Sequence, residues 1–224
     1  MHLFFDLDGT LTDSSPGIIR CINHALGAMA VPTVPEAHLR PMIGTPLFTI
    51  FETLLDTADQ AVVDDAVAHF RERFNTTGIF ENAVYPGVVE ALASLCAAGH
   101  HLQLVTAKPA VSARRVLDHF ALAPYFAAVH GPALSDRGRD KADFVAAALD
   151  TVEWAPGQVV MIGDRVDDVR AARRHQVRAV AAGWGYGTAE ELHAAEPEYV
   201  AGTMADVVAW VELHASGPAA GSIR

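Results

Sequence analysis

The chain alternates short apolar runs with helical patterns and breaks that alternation once. Five runs have strand length and are bounded by turn or polar residues: His2–Phe5, His101–Val105, Phe126–Val129, Val159–Ile162 and Arg178–Ala181. Helical periodicity fills the later intervals, at Val88–Ala98, Ala110–Phe120, Lys141–Leu149 and Asp167–His175. Strands alternating with helices of this size predict an α/β fold: a doubly wound, Rossmann-like parallel sheet covered on both faces. Between the first and second runs, however, nearly a hundred residues carry no convincing strand. They read as helices at Gly17–Met29, Thr45–Leu55 and Asp59–Asn75, broken by Val31-Pro32-Thr33-Val34-Pro35, with Gly78 as a C-cap. Ligands of open α/β sheets bind at the carboxyl ends of strands, so an insertion after the first strand sits over the site. The expected organisation is an α/β core (1–14 and 84–215), an inserted helical cap domain (15–83) and a small polar tail (216–224).

Composition narrows the class. Hydrophobic residues make up 51% and charged residues 19%, enough apolar material for a packed core. Sixteen basic residues against 27 acidic ones give a net charge of −11, which argues against a nucleic-acid partner. The two cysteines, Cys21 and Cys96, form no disulfide framework and read as free thiols. The segment MHLFFDLDGT has no basic n-region, and no run approaches the ~20 apolar residues of a membrane span. A soluble cytoplasmic protein, monomer or homodimer, is expected. Eleven histidines show no metal-ligand spacing. Lys108 and Lys141 are the only lysines in a chain that otherwise uses arginine.

The chemistry-bearing residues cluster at strand ends. Asp6 and Asp8 follow the first strand in Phe5-Asp6-Leu7-Asp8-Gly9-Thr10, where Gly9 permits an unusual turn. Two carboxylates pointing the same way repel unless a cation joins them. Asp164 leaves the fourth strand in Gly163-Asp164-Arg165-Val166-Asp167-Asp168, and Asp168 shares a helix face with it. Acids at the ends of two strands suggest one hard, oxygen-lined site suited to Mg²⁺. Asp167 reads as solvent-facing. The second strand ends in Leu104-Val105-Thr106-Ala107-Lys108-Pro109, offering the Thr106 hydroxyl and, from Ala107 on, backbone N–H groups that open a helix. Lys141 begins another helix.

These four motifs, in this order, resemble the haloacid dehalogenase-like hydrolase superfamily over essentially the whole chain. FDLDGT is similar to its first motif, LVTAKP to the second, Lys141 to the third and GDRVDD to the fourth. The insertion, the stretch Gly78-Ile79-Phe80-Glu81-Asn82 before Tyr85-Pro86-Gly87, Lys108 in the second-motif loop and GWGYG at Gly183–Gly187 resemble the phosphoglycolate phosphatase-type subgroup with a helical cap. The resemblance implies a phosphatase. In it, Asp6 is the nucleophile that forms an aspartyl-phosphate, and Asp8 protonates the leaving alcohol and then activates water. Thr106, Ala107 and Lys141 bind the phosphoryl group. Mg²⁺ is held by the Asp6 carboxylate, the Asp8 carbonyl and Asp164, with Asp168 holding metal-bound water or orienting Lys141.

Other chemistries are weighed on the same residues. A dehalogenase needs no acid two residues after its nucleophile, so Asp8 argues against one. A Schiff-base phosphonate hydrolase needs a cap lysine, and none occurs from Met1 to Ala107. Nucleotidase, pyrophosphatase and sugar phosphomutase activities remain open. A phosphorylation-dependent signalling domain would be about half this length and lack the insertion. The substrate is expected to be a small phosphorylated metabolite, 2-phosphoglycolate first. Arg20, Arg40 and the loop around Gly44 are the candidates to select it, since either arginine could fork onto a carboxylate or second phosphate.

Overall fold

The computed structural model describes residues 1–137 and 139–215; the tail expected at 216–224 lies outside them. Six parallel strands form the main sheet: β1 (His2–Phe5), β4 (His101–Val105), β5 (Ala128–His130), β6 (Val159–Gly163), β7 (Arg178–Ala182) and β8 (Tyr199–Ala201). Their spatial order is β5-β4-β1-β6-β7-β8. The chain thus steps outward from β1 in both directions, and β1 with its neighbours β4 and β6 marks the switch point where α/β sheets bind ligands. Phe5 pairs with Leu104 on one side and Ile162 on the other. Asp6, Thr106 and Asp164 therefore all emerge at the same edge.

Alternation along the strands fills both faces. Leu3 and Phe5 of β1, with Val160 and Ile162 of β6, join the core beneath α5 (Val88–Ala97), α6 (Ala110–His119) and α10 (Met204–Ala215). Phe4 and Met161 point the other way, against Phe144, Val145 and Ala148 of α7 (Lys141–Leu149) and Val169 and Ala172 of α8 (Val166–Arg174). Period-two packing on a sheet with helices on both sides accounts for the nearly continuous apolar sequence of these strands.

The long interval after β1 holds α1 (Ser15–Ala28), α2 (Glu36–Leu39), α3 (Leu47–Leu55) and α4 (Gln60–Phe74). Val63, Ala66, Val67, Phe70 and Phe74 repeat at helical spacing along α4 and pack with Ile19, Ile22 and Leu26 of α1. The segment leaves and rejoins the sheet at one place. There, two short antiparallel strands, β2 (Thr12–Asp13) and β3 (Ala83–Val84), lie side by side.

Several elements differ from the sequence reading. The third strand of the main sheet begins at Ala128, because Phe126 turns its ring into the core against Phe5, 6.2 Å away. The sixth strand, β8, is only three residues long, and α9 (Ala189–Ala194) and α10 were not anticipated. Gly78 is not a C-cap: α4 ends at Asn75 in right-handed geometry, and Gly78 opens a short 3-10 turn instead. Its lack of a side chain matters for packing, since a Cβ there would collide with the Cys21 sulfur.

Gly17 makes the matching close approach from α1. Its amide donates to Glu81 O at 3.0 Å, and a Cβ would strike the carbonyl oxygens of Gly78 and Glu81. Gly17→Ala is expected to cost about 1–3 kcal/mol. The effect should appear as a lower urea midpoint at unchanged slope; an unmoved midpoint would show that the contact is slack.

Candidate active site

Asp6 leaves β1 with its amide bound to Ile162 O at 2.9 Å. A tight turn follows, in which Leu11 N and Thr12 N donate to Leu7 O and Gly9 N donates to Thr12 O. Gly9 has φ +87°, and a Cβ on it would collide with the Asp164 carboxylate. Asp-Gly-Thr after the strand therefore serves two needs: a left-handed turn and an unobstructed carboxylate beside it. Thr10 Oγ1 then donates to Asp164 Oδ1 at 3.0 Å.

Asp164 is fully buried at the end of β6. Its Oδ2 accepts the Tyr186 amide at 2.8 Å. That amide belongs to Gly183–Gly187, whose glycines have a packing reason: a Cβ on Gly185 or Gly187 would run into Asp164. The Tyr186 hydroxyl lies 2.9 Å from Ser14 N and 3.0 Å from Asp13 Oδ1, tying the same loop to the start of α1.

Lys141 is the first residue of α7, whose start is set by a capping box between Asp140 and Asp143. Its ammonium donates to Asp6 Oδ2 at 2.7 Å and Asp168 Oδ1 at 2.5 Å. Asp168 Oδ2 accepts Arg165 N at 2.9 Å, in the first turn of α8. Asp6, Asp164 and Asp168 each bring a carboxylate oxygen within 4.8 Å of the others. Three buried carboxyl groups thus face one buried ammonium, so that with all three ionised two negative charges would have no cation.

Burial raises the Asp6 carboxyl to about 6 against the pull of Lys141. Burial, then the Asp168 and Asp6 carboxylates, raise Asp164 to about 8. Burial opposes the Lys141 charge, but the two carboxylates outweigh it and hold its pKa above the ordinary value. Asp6 Oδ1 is buried with no hydrogen-bond partner. An all-oxygen donor set, a deficit of two charges and an orphaned carboxylate oxygen together fit a hard divalent cation.

Asp8 lies beside this cluster and pairs with Lys108, whose ammonium is 2.6 Å and 2.9 Å from its two oxygens. Lys108 also stands 5.1 Å over the Phe74 ring, so α4 reaches the site directly. The Thr106 hydroxyl is buried and accepts Lys108 N at 3.2 Å.

A cavity of 150 Å³ opens over Asp6, Asp8, Thr106, Ala107 and Lys108. Its far wall is mostly apolar, with Ile18, Ile43, Leu47, Phe48, Phe70 and Phe74. Gly44 lines it too, and also lines a wider cleft of 980 Å³ that reaches Lys141. Arg165 holds the loop preceding Gly44 by donating to Pro41 O at 2.8 Å and Ile43 O at 2.9 Å.

Of the residues named from sequence, Asp6, Asp8, Thr106, Ala107, Lys141, Asp164, Asp168 and Gly44 converge here. Arg40 does not line the cavity. Its guanidinium binds Ser15 Oγ at 2.8 Å, lies 4.0 Å from Asp13 and covers the Tyr186 ring, a set of partners at the base of α1. Arg20 is engaged by Glu81 at 2.9 Å. Asp167 is exposed and faces Arg170. Thr10, Tyr186 and Arg71 were not singled out from sequence. The spacing of Thr10 after Asp6 and the GWGYG stretch around Tyr186 were available as signals, whereas Arg71 sits in a helix far in the chain from the four motifs.

Comparison with known proteins agrees with this geometry. The chain is 37% identical to a 5'-nucleotidase of Pseudomonas aeruginosa, over 95% of this chain and 96% of that protein. It is 33% identical to a phosphoglycolate phosphatase of Caulobacter vibrioides, covering 96% and 92%. It is also 36% identical to the tyrosine-protein kinase PtkA of Mycobacterium tuberculosis, but spans only 64% of that protein's length. A crystal structure of a predicted phosphatase from Clostridium acetobutylicum superposes with a TM-score of 0.89 at 32% identity, covering 95% and 98% of the two chains. Residues 3–182 match the haloacid dehalogenase-like hydrolase family. With the four motifs gathered at one sheet edge, the chain belongs to that family, among its phosphatases.

Proposed function

We propose that this protein hydrolyses a small phosphate monoester in a Mg²⁺-dependent reaction that passes through an aspartyl-phosphate on Asp6. The observation that carries this reading is the buried, unpartnered Asp6 Oδ1 at the floor of the cavity, beside Lys141.

Asp6 attacks phosphorus, and the bond to the leaving oxygen breaks as Asp8 delivers a proton to it. Asp8 then takes a proton from the water that attacks the aspartyl-phosphate, which releases phosphate and restores Asp6. Lys141, the Thr106 hydroxyl and the Ala107 amide hold the phosphoryl oxygens. A general acid contributes about 10²–10⁴-fold. Phosphate monoester hydrolysis is among the slowest uncatalysed reactions, so positioning and charge neutralisation must supply the larger part. The Asp6 carboxylate, the Asp8 carbonyl and Asp164 would hold Mg²⁺, with Asp168 beside it. When bound, the ion would neutralise charge on the phosphoryl oxygens.

The helical segment acts in this reading as a cap domain (15–83) on a core of 1–14 and 84–215. Its apolar wall excludes water and selects the leaving group. A 2-phosphoglycolate-type substrate is the first choice. A nucleoside monophosphate is the second, favoured by the aromatic rings of Phe48, Phe70 and Phe74 in the cavity wall. No helix among the described residues is long and apolar enough to cross a membrane.

Asp6→Asn should abolish Mg²⁺-dependent phosphate release from a generic aryl phosphate, and turnover retained at the wild-type rate would rule out Asp6 as nucleophile. Metal removal has its own signature. Raised carboxyl pKa values mean that the metal-free native state holds more protons than the unfolded chain, whose carboxylates titrate near 4. With chelator, stability should fall as pH rises from about 4 to about 8. Added Mg²⁺ should raise Tm more at pH 8 than at pH 5; equal shifts would contradict the buried-carboxylate assignment.

A further inference from the structure

Arg71, on α4, lines the 150 Å³ cavity together with the phosphate-handling residues. The other cation on that lining is Lys108, whose ammonium is committed to both oxygens of Asp8. Arg71 is half-buried and donates to Leu134 O at 2.7 Å. Among the described residues no carboxylate lies within 4.0 Å of it. Arg137 sharpens the contrast. Both guanidiniums lie over the Phe48 ring, at 5.7 Å for Arg71 and 3.8 Å for Arg137, but Arg137 has Asp64 and Gln60 as partners. Burial, then the Arg137 charge, lower the Arg71 pKa, and the Asp64 carboxylate, which is paired with Arg137, offsets them only in part.

A half-buried guanidinium against apolar walls and a second cation is costly unless an anion completes it. Its planar fork matches a carboxylate. Arg71 lies one helical turn from Phe74, the residue under Lys108, and both line the cavity that Asp6 lines.

We propose that Arg71 is the specificity-determining cation of the cavity, and that it binds a carboxylate on the leaving-group side of the substrate. This rests on the phosphatase reading and deepens it. The substrates are then monoesters of small hydroxy acids, with the phosphate at Asp6 and the carboxylate at Arg71. Arg40, named from sequence for this role, is not on the cavity lining.

The test uses matched pairs of monoesters that differ only in the acid group: ethyl phosphate with 2-phosphoglycolate, propyl phosphate with 3-phosphonooxypropanoate, and phenyl phosphate with 4-carboxyphenyl phosphate. Phosphate release is measured with Mg²⁺ for the wild type, Arg71→Met and Arg71→Lys. The wild type should prefer the acid member of at least one pair in kcat/KM, mainly through KM. Arg71→Met should reduce that preference roughly 10- to 100-fold while leaving the neutral member within a few-fold. Arg71→Lys should restore part of it. Equal losses on both members of every pair would mean that Arg71 only ties α4 to the Leu134 loop, and the proposal falls. It also falls if no acid member is preferred or if the preference survives Arg71→Met. Failure of the phosphatase reading looks different: no member of any pair then releases phosphate, wild type included.

Discussion

A single buried ammonium holds the site together. Lys141 touches Asp6 and Asp168 at once, and without it three buried carboxylates would crowd one another at the edge of a sheet. Burying a charge is expensive, so this cluster is tolerable only while its partners are held in place. The capping box at Asp140 and Asp143 places Lys141, and the Arg165 amide places Asp168. The charge that remains is the chemical reason for reading the site as a cation-assisted one.

The sheet brings the cluster together. β1 lies between β4 and β6 in register, so the residues that follow these three strands share one edge although about 95 residues separate the first pair. The loop at Gly183–Gly187 adds the fourth side. Its glycines let the backbone press on Asp164, and Tyr186 links that contact to the first turn of α1. The surroundings of Asp164 and the base of the helical segment are thereby parts of one network.

Much of the fold was legible because its signals are local. Strands buried on both faces are uninterrupted apolar runs, and β1, β4, β6 and β7 were found to within a residue. β8 escaped because three residues beside Glu196-Pro197-Glu198 carry too little pattern. Gly78 was misread because a glycine needed for a close approach looks, in sequence, like one needed for a left-handed turn. Arg40 and Arg71 show the same limit in the site. Arg40 opens a short 3-10 turn and Arg71 lies within α4, but nothing in the sequence around either tells which is occupied by Ser15 and Tyr186 and which lines the cavity.

The amino-acid sequence by itself determined the chemistry at the strand ends: which carboxylates, which hydroxyl and which lysine. Those residues sit at fixed offsets from strands and helix starts, and such offsets are set by backbone geometry within a few residues. Tertiary structure alone decided which cations stand against the cavity, which acid each one has already taken, and how much room is left above Asp6. Those properties depend on side chains brought together from distant parts of the chain, where packing and charge pairing are settled only once the helices close over the sheet.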